Sequence, residues 1–172
     1  LEVATSDDVQ DPKSVYTEGL TELVTYLDTD DKIWLVLKST QDRSEVCVNN
    51  KKVKLEKGNY DFTQSFVNLH GTHERQLHSR LQEENGTGTL DVTSQEGQPG
   101  TKYYLRLVNV NEECALVTYQ GKGRTECHLY VRNAKLADDQ RRGCEKVYDI
   151  FCQEKHQISD SACENYRASM RA

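Results

Sequence analysis

No apolar stretch in the sequence runs longer than residues 33–37, far short of the roughly 20 residues a helix needs to cross a bilayer. A basic excess is missing too: the net charge is -6, and a nucleic-acid partner requires a basic field on one face. Arg124, Arg132, Arg141 and Arg142 therefore read as solvated surface. There is no C-x-x-C pair, which removes thioredoxin-like redox and zinc-ribbon patterns. No G-x-S-x-G elbow occurs, and Gly121-Lys122-Gly123 lacks the strand-to-helix setting of a phosphate loop, so it reads as a hairpin turn. His70 and His73 are spaced as H-x-x-H without a third ligand at metal-site spacing. The expectation is a protein that is not an enzyme and needs neither metal nor cofactor.

Apolar residues make up only 35% of the chain, a thin supply for one core. Six cysteines, at positions 47, 114, 127, 144, 152 and 163, offset this by constraining the unfolded chain. An even count of this kind points to structural disulfides and an oxidising compartment. The sequence opens at Leu1 without a charged start and an apolar run, and so reads as a mature secreted chain. A sequon at Asn85-Gly86-Thr87 falls on a turn-forming pair, which makes Asn85 a candidate glycan acceptor.

At 172 residues the chain suits one domain. Residues 1–11 are acidic and without periodicity, and read as a flexible N-terminal tail preceding a single domain over 12–172. Tyr16, Leu20, Leu23, Val24 and Leu27 recur at helical spacing, weakened by Gly19. From Lys32 the period becomes two. Segments 33–38, 45–48, 60–70, 75–81, 87–93, 102–110, 115–120 and 126–132 read as strands, with turn pairs between them. Eight short strands with hairpin-length links predict a closed antiparallel barrel, since closure removes exposed edges; a two-sheet sandwich is the alternative. Over 138–153, Cys144, Val147, Tyr148, Phe151 and Cys152 form one stripe of a helix. Two cysteines on that stripe, after strands carrying Cys114 and Cys127, describe a helix stapled to the outside of the sheet.

The run Cys114-Ala-Leu-Val-Thr-Tyr, then Cys127-His-Leu-Tyr-Val, then Cys144 and a final Cys163, resembles the tick salivary lipocalins, often called histamine-binding proteins. The likeness covers nearly the whole chain, although its first half matches mainly in pattern. It implies a mainly β, eight-stranded lipocalin barrel with an N-terminal helix and a disulfide-stapled C-terminal helix. It also implies the pairs Cys47–Cys163, Cys114–Cys144 and Cys127–Cys152. With Cys127 and Cys114 facing the helix, alternation turns Glu126, His128 and Tyr130, and Ala115, Val117 and Tyr119, toward the lumen. On the sixth strand the resemblance favours Tyr103, Leu105 and Leu107 inside, the opposite register being Tyr104, Arg106 and Val108.

Amine-binding members of that family place acids where this chain has Leu105, Ala115 and His128, and the loop 40–47 is shortened. Glu126, Glu74 and Asp42 are the acids left to replace them. The expected lumen of Tyr60, Phe62, Phe66, Tyr103, Leu105, Leu107, Val117, Tyr119, His128 and Tyr130 suits an amphipathic lipid, such as an eicosanoid, fatty acid or sterol. His128 or Arg106 would meet an acidic head group, and Glu126 is a further polar candidate. The resemblance implies a monomeric secreted protein that sequesters a small host mediator against inflammation or immunity. A biogenic amine ligand, a host immune protein bound at the surface, and a barrel simply filled by its aromatics are the competing expectations.

Overall fold

The computed structural model describes residues 16–137 and 141–164; the expected N-terminal tail lies outside them. In chain order it contains α1 (Leu20–Leu27), β1 (Ile33–Lys38), β2 (Val46–Glu56), β3 (Asn59–Asn68), β4 (Gly71–Glu84), β5 (Thr87–Thr93), β6 (Thr101–Asn109), β7 (Cys114–Gln120), β8 (Thr125–Arg132), α2 (Arg142–Phe151) and β9 (His156–Gln157). Strands β1 to β8 pair antiparallel in sequence, and β1 pairs with both β8 and β2, so the sheet closes into a barrel.

Two apolar layers lie on opposite faces of this sheet. Outside, Cys144, Val147, Tyr148 and Cys152 of α2 pack on Trp34, Val36, Leu116, Leu129 and Val131. Strand β1 therefore carries an unbroken apolar run, because it is covered on both sides. Inside, Leu23, Tyr26 and Leu27 of α1 join Ile33, Tyr60, Phe62, Leu81, Leu105, Ala115 and Val117. Helix α1 closes that end of the barrel. Gly19 is its N-cap rather than an interior residue, with its N–H donated to Glu22 at 3.1 Å, and the Leu20 N–H goes to Glu83 at 2.9 Å. Arg132 clamps the other end through the carbonyls of Thr25 and Tyr26, at 2.9 and 2.7 Å.

Strands β2 and β4 run well beyond the periodic segments 45–48 and 75–81. Their outward faces are charged and their inward faces are partly polar, which hides the alternation. Helix α2 is shorter than 138–153, whose first residues lie outside those described; it stops where Cys152 turns extended (φ -138°).

The six cysteines form Cys47–Cys163, Cys114–Cys144 and Cys127–Cys152. The last two pin α2 to β7 and β8. Cys47–Cys163 ties the end of the described chain to β2, beside a second connection. There β9 pairs with β1 through Leu37–Gln157 and Lys38–His156. The Ile158 N–H bonds the Val36 carbonyl and the Cys47 N–H bonds the Ile158 carbonyl, both at 2.8 Å. This segment fills the gap where β2 diverges from β1.

Removing these bridges tests their ranking. Chain entropy makes Cys127–Cys152, with a separation of 25, worth about 3.5 kcal/mol, and Cys47–Cys163, with a separation of 116, worth about 5 kcal/mol. Urea unfolding of the two Cys-to-Ser double variants should rank them in that order; equal losses would refute the ranking.

Candidate functional site

Alternation along the strands encloses a cavity of about 300 Å³ that runs from α1 to the opposite end of the barrel. Its walls near α1 are Leu23, Tyr26, Leu27, Ile33, Tyr60, Phe62, Leu105 and Val117. At the far end, beside the β1–β2 loop, stand Lys38, Thr40, Glu45, Gln64, Arg75, Tyr119 and His128. The site is thus an apolar well with an ionic mouth.

Most of the expected lining residues reach the cavity: Tyr60, Phe62, Tyr103, Leu105, Val117, Tyr119, His128 and Tyr130. Four expectations need correction, for Leu107, Arg106, Phe66 and Glu126. A β-bulge at Arg106 shifts the register of β6 against β7 between Leu105 and Leu107. Below it Tyr103 and Leu105 face inward; beyond it Leu107 pairs with Leu116 and packs outside against α2, while Val108 joins the inner cluster. Neither uniform register holds for the whole strand. Arg106 points outward, donates to Thr118 at 2.9 Å and lies between the rings of Tyr104 and Phe151, at 5.3 and 5.4 Å. It has no part in the lumen.

Phe66 belongs to a separate cluster with Leu35, Val48 and Ile158. The guanidinium of Arg75 covers its ring at 4.3 Å, so Arg75 rather than Phe66 meets the cavity. Glu126 shares the inward face of β8 but lies outside the cavity wall, buried and bonded to Ser39 and to Arg124 (2.6 Å). Among the other acids, Glu74 and Asp42 are exposed. His73 bonds Asn68 at 2.9 Å and stacks on Phe66, while His70 is exposed, so the H-x-x-H pair makes no joint site.

Sequence reading missed the mouth. A second bulge, at Val36, lets Leu35 oppose Tyr130 and Leu37 oppose Leu129. It sends Leu37 to the outer layer and turns Lys38 inward, opposite His128. Strict alternation from Ile33 would have placed Lys38 outside. Among the described residues Lys38 has no ion-pair partner within 4.0 Å. Arg75, by contrast, is held by Glu45 at 2.5 Å and by Gln64 at 2.8 Å.

Tyr103, Tyr119, His128 and Tyr130 form an aromatic group, with ring centres 5.0 to 6.1 Å apart. Burial, then the charge of Lys38, lowers the His128 pKa to about 4, against an opposing pull from Glu126. The imidazole is neutral at physiological pH and offers hydrogen bonds rather than a cation. Burial also raises the Tyr103 phenol to about 12 and pushes Tyr60 and Tyr130 higher still, so these hydroxyls stay protonated. A group of three potential ligand residues, Glu112, Cys114 and Cys144, contains a disulfide and offers no thiolate to a metal.

The profile of the family described as "Tick histamine binding protein" matches residues 16–165. No curated protein matches the chain by sequence. Among solved structures, Japanin from Rhipicephalus appendiculatus bound to cholesterol superposes with a TM-score of 0.60 at 15% identity, over 78% of this chain and 96% of that one. A major allergen of cockroaches, Per a 4, gives 0.61 at 12% identity over 91% and 100%. Lobster apocrustacyanin A1 gives 0.58 at 12% over 92% and 93%. At these identities the likeness concerns the fold, a lipocalin barrel.

His128 gives the site a pH signature. Its folded pKa is depressed, so between about pH 6.5 and about 4 the unfolded chain binds a proton that the native state refuses. The stability it supports is full above that window and falls as pH falls through it. His128→Gln should lose about 2 kcal/mol less than the parent between pH 7 and pH 4.5 in urea titrations; Lys38, Glu126 and the tyrosines around it remain in both. An identical pH dependence in the two proteins would refute this assignment.

Proposed function

This chain belongs to the tick histamine-binding protein family, and on that footing we propose that it is a secreted lipocalin that sequesters an acidic amphipathic lipid. The lipid would be a host mediator, held without turnover so that inflammation or immunity at the feeding site is blunted. The carrying observation is Lys38, an ammonium without an ion-pair partner within 4.0 Å among the described residues, at the mouth of a well whose other ionic groups there, Glu45 and Arg75, are paired with each other. A carboxylate seated there gains a charge-assisted bond while its hydrocarbon body is buried among Leu105, Val117, Tyr103 and Phe62. The cavity volume is at the small end of the range for such sites, roughly 300–1,000 Å³, which suits one compact chain. Japanin, a protein with this fold, is described with cholesterol bound. Three disulfides accord with an extracellular setting.

The amine reading is weaker on specific grounds. A cationic amine needs an available carboxylate, yet Glu45 is paired with Arg75 and Glu126 with Arg124 and Ser39. Lys38 adds like charge. A surface-docking role has less support, because the exposed large apolar residues Val53, Leu69 and Val110 sit singly on separate strands and turns.

The decisive comparison is oleic acid against oleyl alcohol. Lys38→Met should weaken the acid by at least about tenfold, the worth of one charged hydrogen bond, and leave the alcohol within about twofold in calorimetry. Equal effects on both, or tight binding of histamine or serotonin, would overturn the reading. Asn85 is exposed at the tip of the β4–β5 hairpin with φ 51°, and we assign it a glycan. Expression through a eukaryotic secretory pathway should yield a mass that amidase treatment reduces and that Asn85→Gln lacks.

A further inference from the structure

The first residue after β1 is held more firmly than a strand end requires. Ser39 is 2% exposed and follows Lys38, whose cross-strand neighbour is His128. Its N–H bonds the Cys127 carbonyl at 3.1 Å, as the next rung of an antiparallel ladder would. The reciprocal bond is diverted: the Cys127 N–H goes to Ser39 Oγ at 2.8 Å, and the Ser39 carbonyl accepts Arg124 Nη2 at 3.2 Å. The ladder therefore ends through a side chain. That hydroxyl in turn donates to Glu126, a residue only 5% exposed, whose other carboxylate oxygen takes Arg124 Nε at 2.6 Å. Arg124 also reaches Glu154, in the connection from α2 to β9, at 3.0 Å. Every polar group of Ser39 is thus committed.

A buried ion pair adds little stability over an apolar replacement, and neither Ser39 nor Glu126 belongs to the wall of the well. What their bonds fix is the direction in which the chain leaves β1. The bulge at Val36 chooses the face on which Lys38 lies; the grip on Ser39 supplies the second fixed point, on the loop side of the same lysine. We infer that Glu126 and Arg124, acting through Ser39, are positioning residues that hold Lys38 toward the mouth of the well. That Lys38 then meets a ligand carboxylate rests on the reading given above. Pairing with Arg124 also occupies the Glu126 carboxylate, which would otherwise compete with a ligand for the Lys38 ammonium.

His128 reports where Lys38 stands without any ligand present. Its pKa is depressed to about 4 by burial and then by the Lys38 charge, against Glu126, with Tyr103, Tyr119 and Tyr130 around the ring. In the whole oxidised chain, NMR titration should find the His128 pKa raised by Lys38→Met and by Ser39→Ala. In the Lys38→Met background Ser39→Ala should add no further shift. Arg124→Gln, at a side chain 48% exposed, carries the same cycle where loss of the buried hydroxyl unfolds the barrel. No rise in the single variant, or an equal rise in both backgrounds, overturns the inference alone. In calorimetry Ser39→Ala should weaken oleic acid about threefold, less than Lys38→Met does, and leave oleyl alcohol within about twofold. Titrations that run as expected while no variant alters the preference for acid over alcohol overturn the acidic-lipid reading and leave the positioning of Lys38 standing.

Discussion

The wedge of residues 156–158 between β1 and β2 is the constraint on which the site depends. Two hydrogen bonds, Ile158 N–H to the Val36 carbonyl and Cys47 N–H to the Ile158 carbonyl, complete the barrel wall where β2 has left β1. The Val36 carbonyl belongs to the bulged residue. Holding that carbonyl holds the bulge, and the bulge decides that Lys38 faces the well while Leu37 faces α2. The Cys47–Cys163 bridge ties the same segment covalently to β2. A pairing near the end of the described chain thus sets the charge at the mouth of the cavity.

The other two disulfides act on the opposite side of the wall. Cys114–Cys144 and Cys127–Cys152 press α2 onto β7 and β8, giving β1, β7 and β8 a dry outer face. With that face covered, the inner face is released from supplying the whole core and can leave a well. Helix α1 then shuts one end, held by Arg132 at its C-terminal carbonyls. The polarity along the well follows: apolar and shut at α1, charged and open at Lys38, Glu45 and Arg75. Two phenols, Tyr26 and Tyr60, interrupt the apolar half.

The barrel was legible because β8 alternates, β1 and β7 are short apolar runs of strand length, and the turns carry Gly or Asn-Gly pairs. The inward set on β7 and β8 followed from Cys114 and Cys127, whose side chains had to face the helix. Where the reading failed, a bulge or a competing side chain intervened. Leu107 changed faces because one extra residue in β6 inverts everything beyond it, whereas Arg106 faces outward by ordinary alternation from Leu105. Phe66 has the right parity, but Arg75 lies over its ring. Glu126 has the right parity too, and is taken by Ser39 and Arg124.

Composition and periodicity by themselves determined a disulfide-bearing β domain with one amphipathic helix on its outside, because cysteine count and the 2.0 and 3.6 periods are local properties of the chain. Alternation on β3, β7 and β8 also made the aromatic character of the lumen readable, through Tyr60, Phe62, Tyr119 and Tyr130. Only the tertiary structure decided which cation meets the ligand, since that depends on bulges stabilised by segments far apart in sequence, Val36 and Ile158 among them. It likewise left the Tyr60 hydroxyl without a hydrogen-bond partner among the described residues, because a missing hydrogen bond is a property of everything packed around a residue and is written in no single stretch of sequence.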